Sequence, residues 1–193
     1  MNAGARRARG GTLLFLHADC TLPDGYQDLI ETALGGSSSS NSSSSNLRDP
    51  GSERLWGAWR SIHVQGCSPI TAAALRFTVG LRTSLLTRPY GDQGLFVRSE
   101  AFWRLLGGFE ELPLLEDVRA VRRLAATAGR PALVPGALPT SGRRWAKLGL
   151  LRTTLINQAI LIGEALGVSV DTLAAWYHGS SRRITSGRKE SQS

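Results

Sequence analysis

The segment Thr12-Leu13-Leu14-Phe15-Leu16-His17-Ala18-Asp19 constrains this chain more than any other. Its continuous apolar run, with glycines in front and a polar end behind, predicts a short buried strand over residues 12–17. Leu22-Pro23-Asp24-Gly25 then turns the chain, with Asp24 as the expected helix cap. Tyr26, Leu29, Ile30, Ala33 and Leu34 carry helical spacing as far as Gly35-Gly36. A strand, loop and helix with Asp19 at the mouth is a unit of an α/β fold. Open sheets of that class gather ligands at the carboxyl ends of their strands, where an aspartate can hold a metal or accept a proton.

Two further acidic sites repeat the pattern. Asp92 precedes Gln93-Gly94-Leu95-Phe96-Val97, and Glu116-Asp117 follow Leu114-Leu115. Three such sites predict a functional centre assembled from separate loops, with metal-assisted group transfer as the leading chemistry.

A length of 193 residues with 41% hydrophobic content permits one domain with a real core. The net charge of +8 favours anionic partners, and nucleic acid, anionic lipid and nucleotide phosphates all qualify. Part of that charge, in Arg6-Arg7-Ala8-Arg9 and in Arg182-Arg183 through Arg188-Lys189, reads as solvated tail. Cys20 and Cys67 are too few for a disulfide framework and are expected to be reduced and structural. Almost no apolar residue precedes Thr12, and Asp19 interrupts the first hydrophobic run, which argues against a signal peptide. No uncharged apolar run reaches the length of a membrane span. The expectation is a cytoplasmic chain, or one attached to the cytoplasmic face of a membrane.

Between the acidic sites, Gly36 to Asn46 is almost wholly serine, asparagine and glycine and reads as a flexible insertion in a surface loop. Trp56 to Val64 has the alternation of an exposed strand, with Trp59, Ser61 and His63 on one side. Residues 70–87 favour a helix ended by Pro89-Tyr90-Gly91. Gln93 to Arg98 returns to strand, and a short helix from Ser99 stops at Gly107-Gly108. Asp117 to Ala128 reads as a basic amphipathic helix with Val118, Val121, Leu124 and Ala125 inward, and Ala132-Leu133-Val134 as a brief strand. Leu148 to Trp176 has a broader apolar surface than one core stripe needs. It either packs on the domain or lies at a membrane interface with Arg152 facing headgroups. After Tyr177 the composition is that of a disordered basic tail.

The residues with chemical potential each have a plainer alternative. Asp19 is a hard oxygen ligand suited to magnesium or manganese bridging a diphosphate, or a loop cap. Glu116-Asp117 opens a helix, where a carboxylate serves either as a cap or as a general base for an acceptor hydroxyl. Asp92 and Gln93, between two glycines, can bind acceptor hydroxyls or simply form a tight turn. Arg143-Arg144-Trp145 offers two guanidiniums and an indole for a pyrophosphate, or a solvated basic face. Phosphate-binding Gly-Lys-Ser/Thr loops, the serine nucleophile elbow and histidine metalloprotease pairs are missing from the sequence. Charge is the only argument for nucleic acid, and no specific nucleic-acid partner is expected.

These residues together resemble the inverting family 2 glycosyltransferases, and more narrowly the small bacterial branch associated with arsenosugar biosynthesis or selenodomain proteins. The resemblance runs through Met1-Asn2-Ala3-Gly4-Ala5, Leu13 to Asp19, Tyr90 to Arg98, Gly107-Gly108-Phe109, Pro113 to Val118 and Ser141 to Trp145, and on to Leu173–Tyr177. It implies a GT-A-like nucleotide-diphospho-sugar transferase fold with a mixed sheet flanked by helices. In that likeness His17-Ala18-Asp19 resembles the Asp-x-Asp-like element, with Asp19 binding Mg2+ or Mn2+, and Asp117 resembles the catalytic base with Glu116 beside it. Asp92 and Gln93 would lie near the acceptor, and Arg143, Arg144 and Trp145 would hold the donor diphosphate. The partners implied are a nucleotide-sugar donor and an acceptor hydroxyl.

Family members begin with a strand and helix that bind the nucleotide, ahead of the segment at Met1. The resemblance thus implies an incomplete, N-terminally truncated domain over residues 1–178, with the insertion at 36–46 and the tail at 179–193. The competing expectation is a noncatalytic basic protein bound to anionic membrane or nucleic acid.

Overall fold

The computed structural model describes residues 1–35, 53–86, 89–143 and 150–177. A short helix, α1 (Asn2–Arg7), leads into β1 (Thr12–Phe15), α2 (Tyr26–Ala33), β2 (Trp56–Gln65) and α3 (Pro69–Leu86). These are followed by β3 (Leu95–Arg98), α4 (Ser99–Ala101), α5 (Glu116–Thr127), β4 (Ala132–Ser141) and α6 (Leu150–Ala165). A last helix occupies residues 170–177. The chain divides into two compact units, Met1–Phe109 with Asp117–Gly142, and Glu110–Glu116 with Arg143–Ser193.

The first unit holds a four-stranded sheet in the order β1-β3-β2-β4. β3 is antiparallel to both β1 and β2, whereas β2 and β4 are parallel. Three strands therefore point one way and β3 the other, which makes a mixed α/β sheet. Phe15 at the end of β1 pairs with Leu95 at the start of β3. The turn before β3 consequently lies at the same edge as the carboxyl ends of the other strands.

Alternate strand residues feed two apolar layers. Leu13, Trp56, Leu95 and Val97 meet Ala5 of α1, Phe102, Leu106, Phe109 and the Val121–Leu124 side of α5. Trp59, Phe96, Val134 and Leu138 face the other way, onto Ile30 of α2 and Leu34. Val118, Val121 and Leu124 are buried as their helical spacing predicts.

The differences from expectation have local causes. β2 is a central strand, not an exposed one: Trp56, Trp59 and Ile62 are almost wholly buried, and only Arg60, His63 and Gln65 reach solvent. β4 runs through Pro135, Gly136 and Pro139 to Ser141, far beyond the brief strand expected. It can do so because it is an edge strand and because the register shifts between Trp59 and Ser61, accommodating the extra residue as a bulge. Asp24 does not cap α2. Gly25, at φ 67°, takes the N-cap position, with no side-chain hydrogen bond there. Leu29, expected inside, is 38% exposed.

Arg6 and Arg7, read as part of a tail, instead belong to α1. That helix is anchored by the Asn2 side-chain amide, which donates to Phe109 O and accepts from Phe109 N–H, both at 2.8 Å. After Ala101 the chain makes a π-helical turn, Phe102–Leu106, which Gly107 ends in a left-handed conformation. The serine-rich segment 36–46 and the tail 179–193 lie outside the described residues.

Within the second unit, Ile160 of α6 and Val170, Leu173 and Ala174 of the last helix are buried. Gly163 lies where an added Cβ would meet Leu173, so close helix packing there depends on a missing side chain. No helix among the described residues is long and apolar enough to cross a membrane.

Candidate functional site

Asp19, Asp92 and Asp117 all belong to the first unit and gather at the edge where β1, β2 and β4 end. Three local features bring them there. The first is the exit from β1. Thr21 N–H donates to Pro139 O and Ser141 N–H donates to Asp19 O, both at 2.9 Å, so Cys20 and Thr140 form an antiparallel bridge. The Asp19 backbone is pinned to the end of β4 while its side chain stays exposed. His17, two residues earlier, is exposed as well.

The second feature is the turn before β3. Gly91–Gln93 makes one turn of 3-10 helix, closed by Gly94 in a left-handed conformation at φ 66°. Gln93, expected at the acceptor, is completely buried. Its Nε2 donates to Trp59 O at 2.8 Å and to Thr83 Oγ1 at 2.9 Å, while its Oε1 accepts from Tyr90 N–H at 3.1 Å. The Gln93 amide is thus a post that ties the turn to β2 and α3, and the half-buried Asp92 beside it is carried by that post.

The third feature is the start of α5. Asp117 Oδ2 accepts from Gly91 N–H at 2.9 Å, and Oδ1 accepts from Val118 N–H at 2.8 Å. Each carboxylate oxygen has capacity for a second hydrogen bond, so a fixed orientation is compatible with a further donor. Just before, Leu115 adopts φ 67° and is the one non-glycine residue with positive φ among the described residues. A bulky residue in that region stores strain of order 1–3 kcal/mol, and such strain clusters at functional sites. Glu116, half-buried, is the first residue of α5 and belongs to the second unit.

Cys20 joins these features and was not among the residues read as functional from the sequence. Its Sγ lies 3.4 Å from Thr140 Oγ1, 3.8 Å from Asp92 O and 3.9 Å from Asp19 Oδ1. Burial pushes the thiol pKa above its ordinary value; the Thr140 hydrogen bond opposes the rise, and the Asp19 and Asp92 charges add to it. Near neutral pH Cys20 is therefore a neutral packing junction and a poor nucleophile. Through it, Asp19, Asp92, Gly91 and Asp117 form one continuous rim.

Gly91 is where this rim is tightest, because an added Cβ would collide with the Asp117 carboxylate. Gly91→Ala should push that carboxylate away and break its hydrogen bond, costing about 1–3 kcal/mol. Urea unfolding would read the loss, and an unchanged midpoint would show that the contact does not matter.

Arg143 is exposed and lies in the second unit; Arg144 and Trp145 fall outside the described residues. No three His, Cys, Asp or Glu side chains among the described residues come together as a metal cluster. Among the described residues, then, no protein-only metal cage is built. One exposed carboxylate still fits a cation that takes most of its ligands from water and phosphate oxygens, the habit of magnesium.

Fold and site together define a mixed α/β protein, a four-stranded sheet flanked by helices with three aspartates along one strand-end rim. Comparison with known proteins matches no family model, no curated protein and no solved structure.

Proposed function

We propose that the chain serves inverting glycosyl transfer from a nucleotide-activated sugar to an acceptor hydroxyl. The observation that carries this reading is the 2.9 Å bond from Gly91 N–H to Asp117 Oδ2, which orients a carboxylate on the rim shared with Asp19 and Asp92. Asp117 is the general base. It takes the acceptor hydroxyl proton as the acceptor oxygen bonds to the anomeric carbon. The bond from that carbon to the donor diphosphate breaks on the opposite side, and its electron pair leaves with the nucleoside diphosphate. Asp92 orients the acceptor, and Gln93 supports it from beneath. The role that the family likeness gives to Glu116, Arg143, Arg144 and Trp145, as the base's neighbour and the diphosphate grip, remains part of the proposal.

Asp19 is the residue proposed to hold a divalent cation, Mg2+ or Mn2+. Such a cation, when bound, neutralises charge on the leaving phosphates.

Isothermal titration of the 193-residue protein with UDP and GDP, with and without manganese, tests the donor side. The expected result is saturable binding that requires manganese and weakens about tenfold or more in Asp19→Ala, the loss of one charged ligand interaction. Equal binding with and without the metal, or an Asp19→Ala variant that binds as the parent does, would remove Asp19 from the role. A folded chain that binds neither nucleotide would overturn the donor assignment.

A further inference from the structure

A groove of about 520 Å³ lies in the first unit between α3 and the middle of β2 and β4, and none of the three rim aspartates lines it. Its size is that of a small-molecule site. One wall is a stripe of α3, formed by Ala73, Phe77 and Leu81, which share a helix face. Phe77 is 69% exposed and Leu81 46%, so two large apolar side chains stand open to solvent along a concave surface. Arg60 of β2 and Arg76 of α3 belong to the same lining.

Two local features shape the groove. Ser61 Oγ donates to Arg76 O at 2.8 Å, which pins α3 against β2. Gly80 brings the helix close over that serine, since a Cβ there would lie 3.7 Å from the Ser61 hydroxyl. At β4 the sheet bulges: Trp59 pairs with Val134 and Ser61 with Ala137, so Pro135 and Gly136 together stand opposite Arg60. Gly136, at φ 95°, borders open space and contributes no side chain to fill it. Bulges of this kind bend a strand and re-aim its side chains beside binding sites.

Charge and shape together select the occupant. Arg60 and Arg76 are exposed, and neither guanidinium makes an ion pair or hydrogen bond with another side chain among the described residues. The sequence has no Asp or Glu from Arg54 to Gly91, and none in β4, so the three elements that form the groove carry no acid to offset these cations. Guanidiniums match the geometry of carboxylate and phosphate oxygens, while their stems extend an apolar wall. Inorganic phosphate would leave Phe77 and Leu81 uncovered. A neutral hydrocarbon would leave both cations without an opposite charge, and a bilayer is flat where this surface is concave. A small molecule with an apolar body and one oxyanion head answers every part of the lining.

We propose that this groove binds an amphipathic organic anion, its carboxylate or phosphate head held by Arg60 and Arg76 and its apolar body lying on Phe77 and Leu81. This inference stands apart from the transfer reaction and needs neither the nucleotide nor the aspartates.

Isothermal titration of the full chain with octanoate and octyl phosphate tests it, with octanol and acetate as probes of the body and the head alone. Saturable binding of at least one anion is expected, with octanol and acetate weaker by about tenfold or more. Arg76→Gln should weaken the anion about tenfold or more through loss of a charge-assisted bond, and Phe77→Ala should weaken it through loss of apolar contact. Circular dichroism melts of both variants should match the parent, because both side chains are exposed. Binding of neither anion would overturn the proposal. So would octanol that binds as tightly as octanoate, which would remove the cations from the site, or Arg76→Gln and Phe77→Ala proteins that bind as the parent does, which would place the ligand elsewhere.

Discussion

On the proposed reading, replacing Asp117 by asparagine is expected to slow glycosyl transfer by about 10²–10⁴-fold, the range that a positioned general base supplies. The fold should survive. The substituted amide would keep one carbonyl oxygen to accept from Gly91 N–H, the bond now made by Oδ2 at 2.9 Å. It would lose the second acceptor facing Val118 N–H, a cost of about 1 kcal/mol. In a chain of this size that lowers Tm by about 2–4 °C. The rate is to be measured as nucleoside diphosphate release, with a donor and acceptor found by screening the parent protein. A folded Asp117→Asn protein that turns over at the parental rate would end the base assignment. Asp117→Ala is a poorer test, because it also leaves Gly91 N–H without its partner and confuses chemistry with stability.

The largest stability effect is expected at Gln93. Gln93→Leu keeps much of the volume and stays in the same completely buried position, but Trp59 O and Tyr90 N–H lose the bonds they now make with the amide. Each buried polar group left unsatisfied costs about 1–3 kcal/mol, so a total of roughly 3–5 kcal/mol is expected, near the top of the range for single substitutions. Thermal unfolding should show a drop of order 10 °C or more. If Gln93 served only to touch an acceptor, the same substitution would leave Tm where it was and raise KM instead. The two outcomes separate a post from a ligand without ambiguity.

Much of the framework is legible in the residues themselves, and the reason differs from element to element. β1, α3 and α5 are visible because their patterns are local: an unbroken apolar run, an alanine- and leucine-rich stretch ended by proline, and inward positions at helical spacing. β2 and β4 are not. Trp59 and Ile62 read as half-exposed by alternation, yet β2 lies between β3 and β4 and is covered on both faces, a property of its neighbours. In β4, only the brief apolar run Ala132-Leu133-Val134 reads as strand, and the shifted register against Trp59 and Ser61 lets the strand continue through Pro135 and Gly136.

The site divides in the same way. Asp19, Asp92 and Asp117 stand out because each follows or precedes an apolar run, so a sheet must bring its ends together. Gln93 also stands out, as one of two polar residues between glycines, but that setting does not reveal that its amide turns inward. Cys20 is illegible because its meaning comes from Thr140, 120 residues away. Leu115 is hidden too: nothing about a leucine announces a left-handed backbone.

The bridge between residues 19–21 and Pro139–Ser141 has a kinetic meaning. Many transferases close a loop over their substrate, and such a lid needs a segment that swings on a hinge with few bonds to break. The Asp19 segment is the opposite, latched by two backbone hydrogen bonds and by the Cys20 contact, which would have to release together. The aspartate rim therefore behaves as an anvil. On the proposed reading it would meet a substrate in a shape already set, and turnover would not be timed by the opening of that loop.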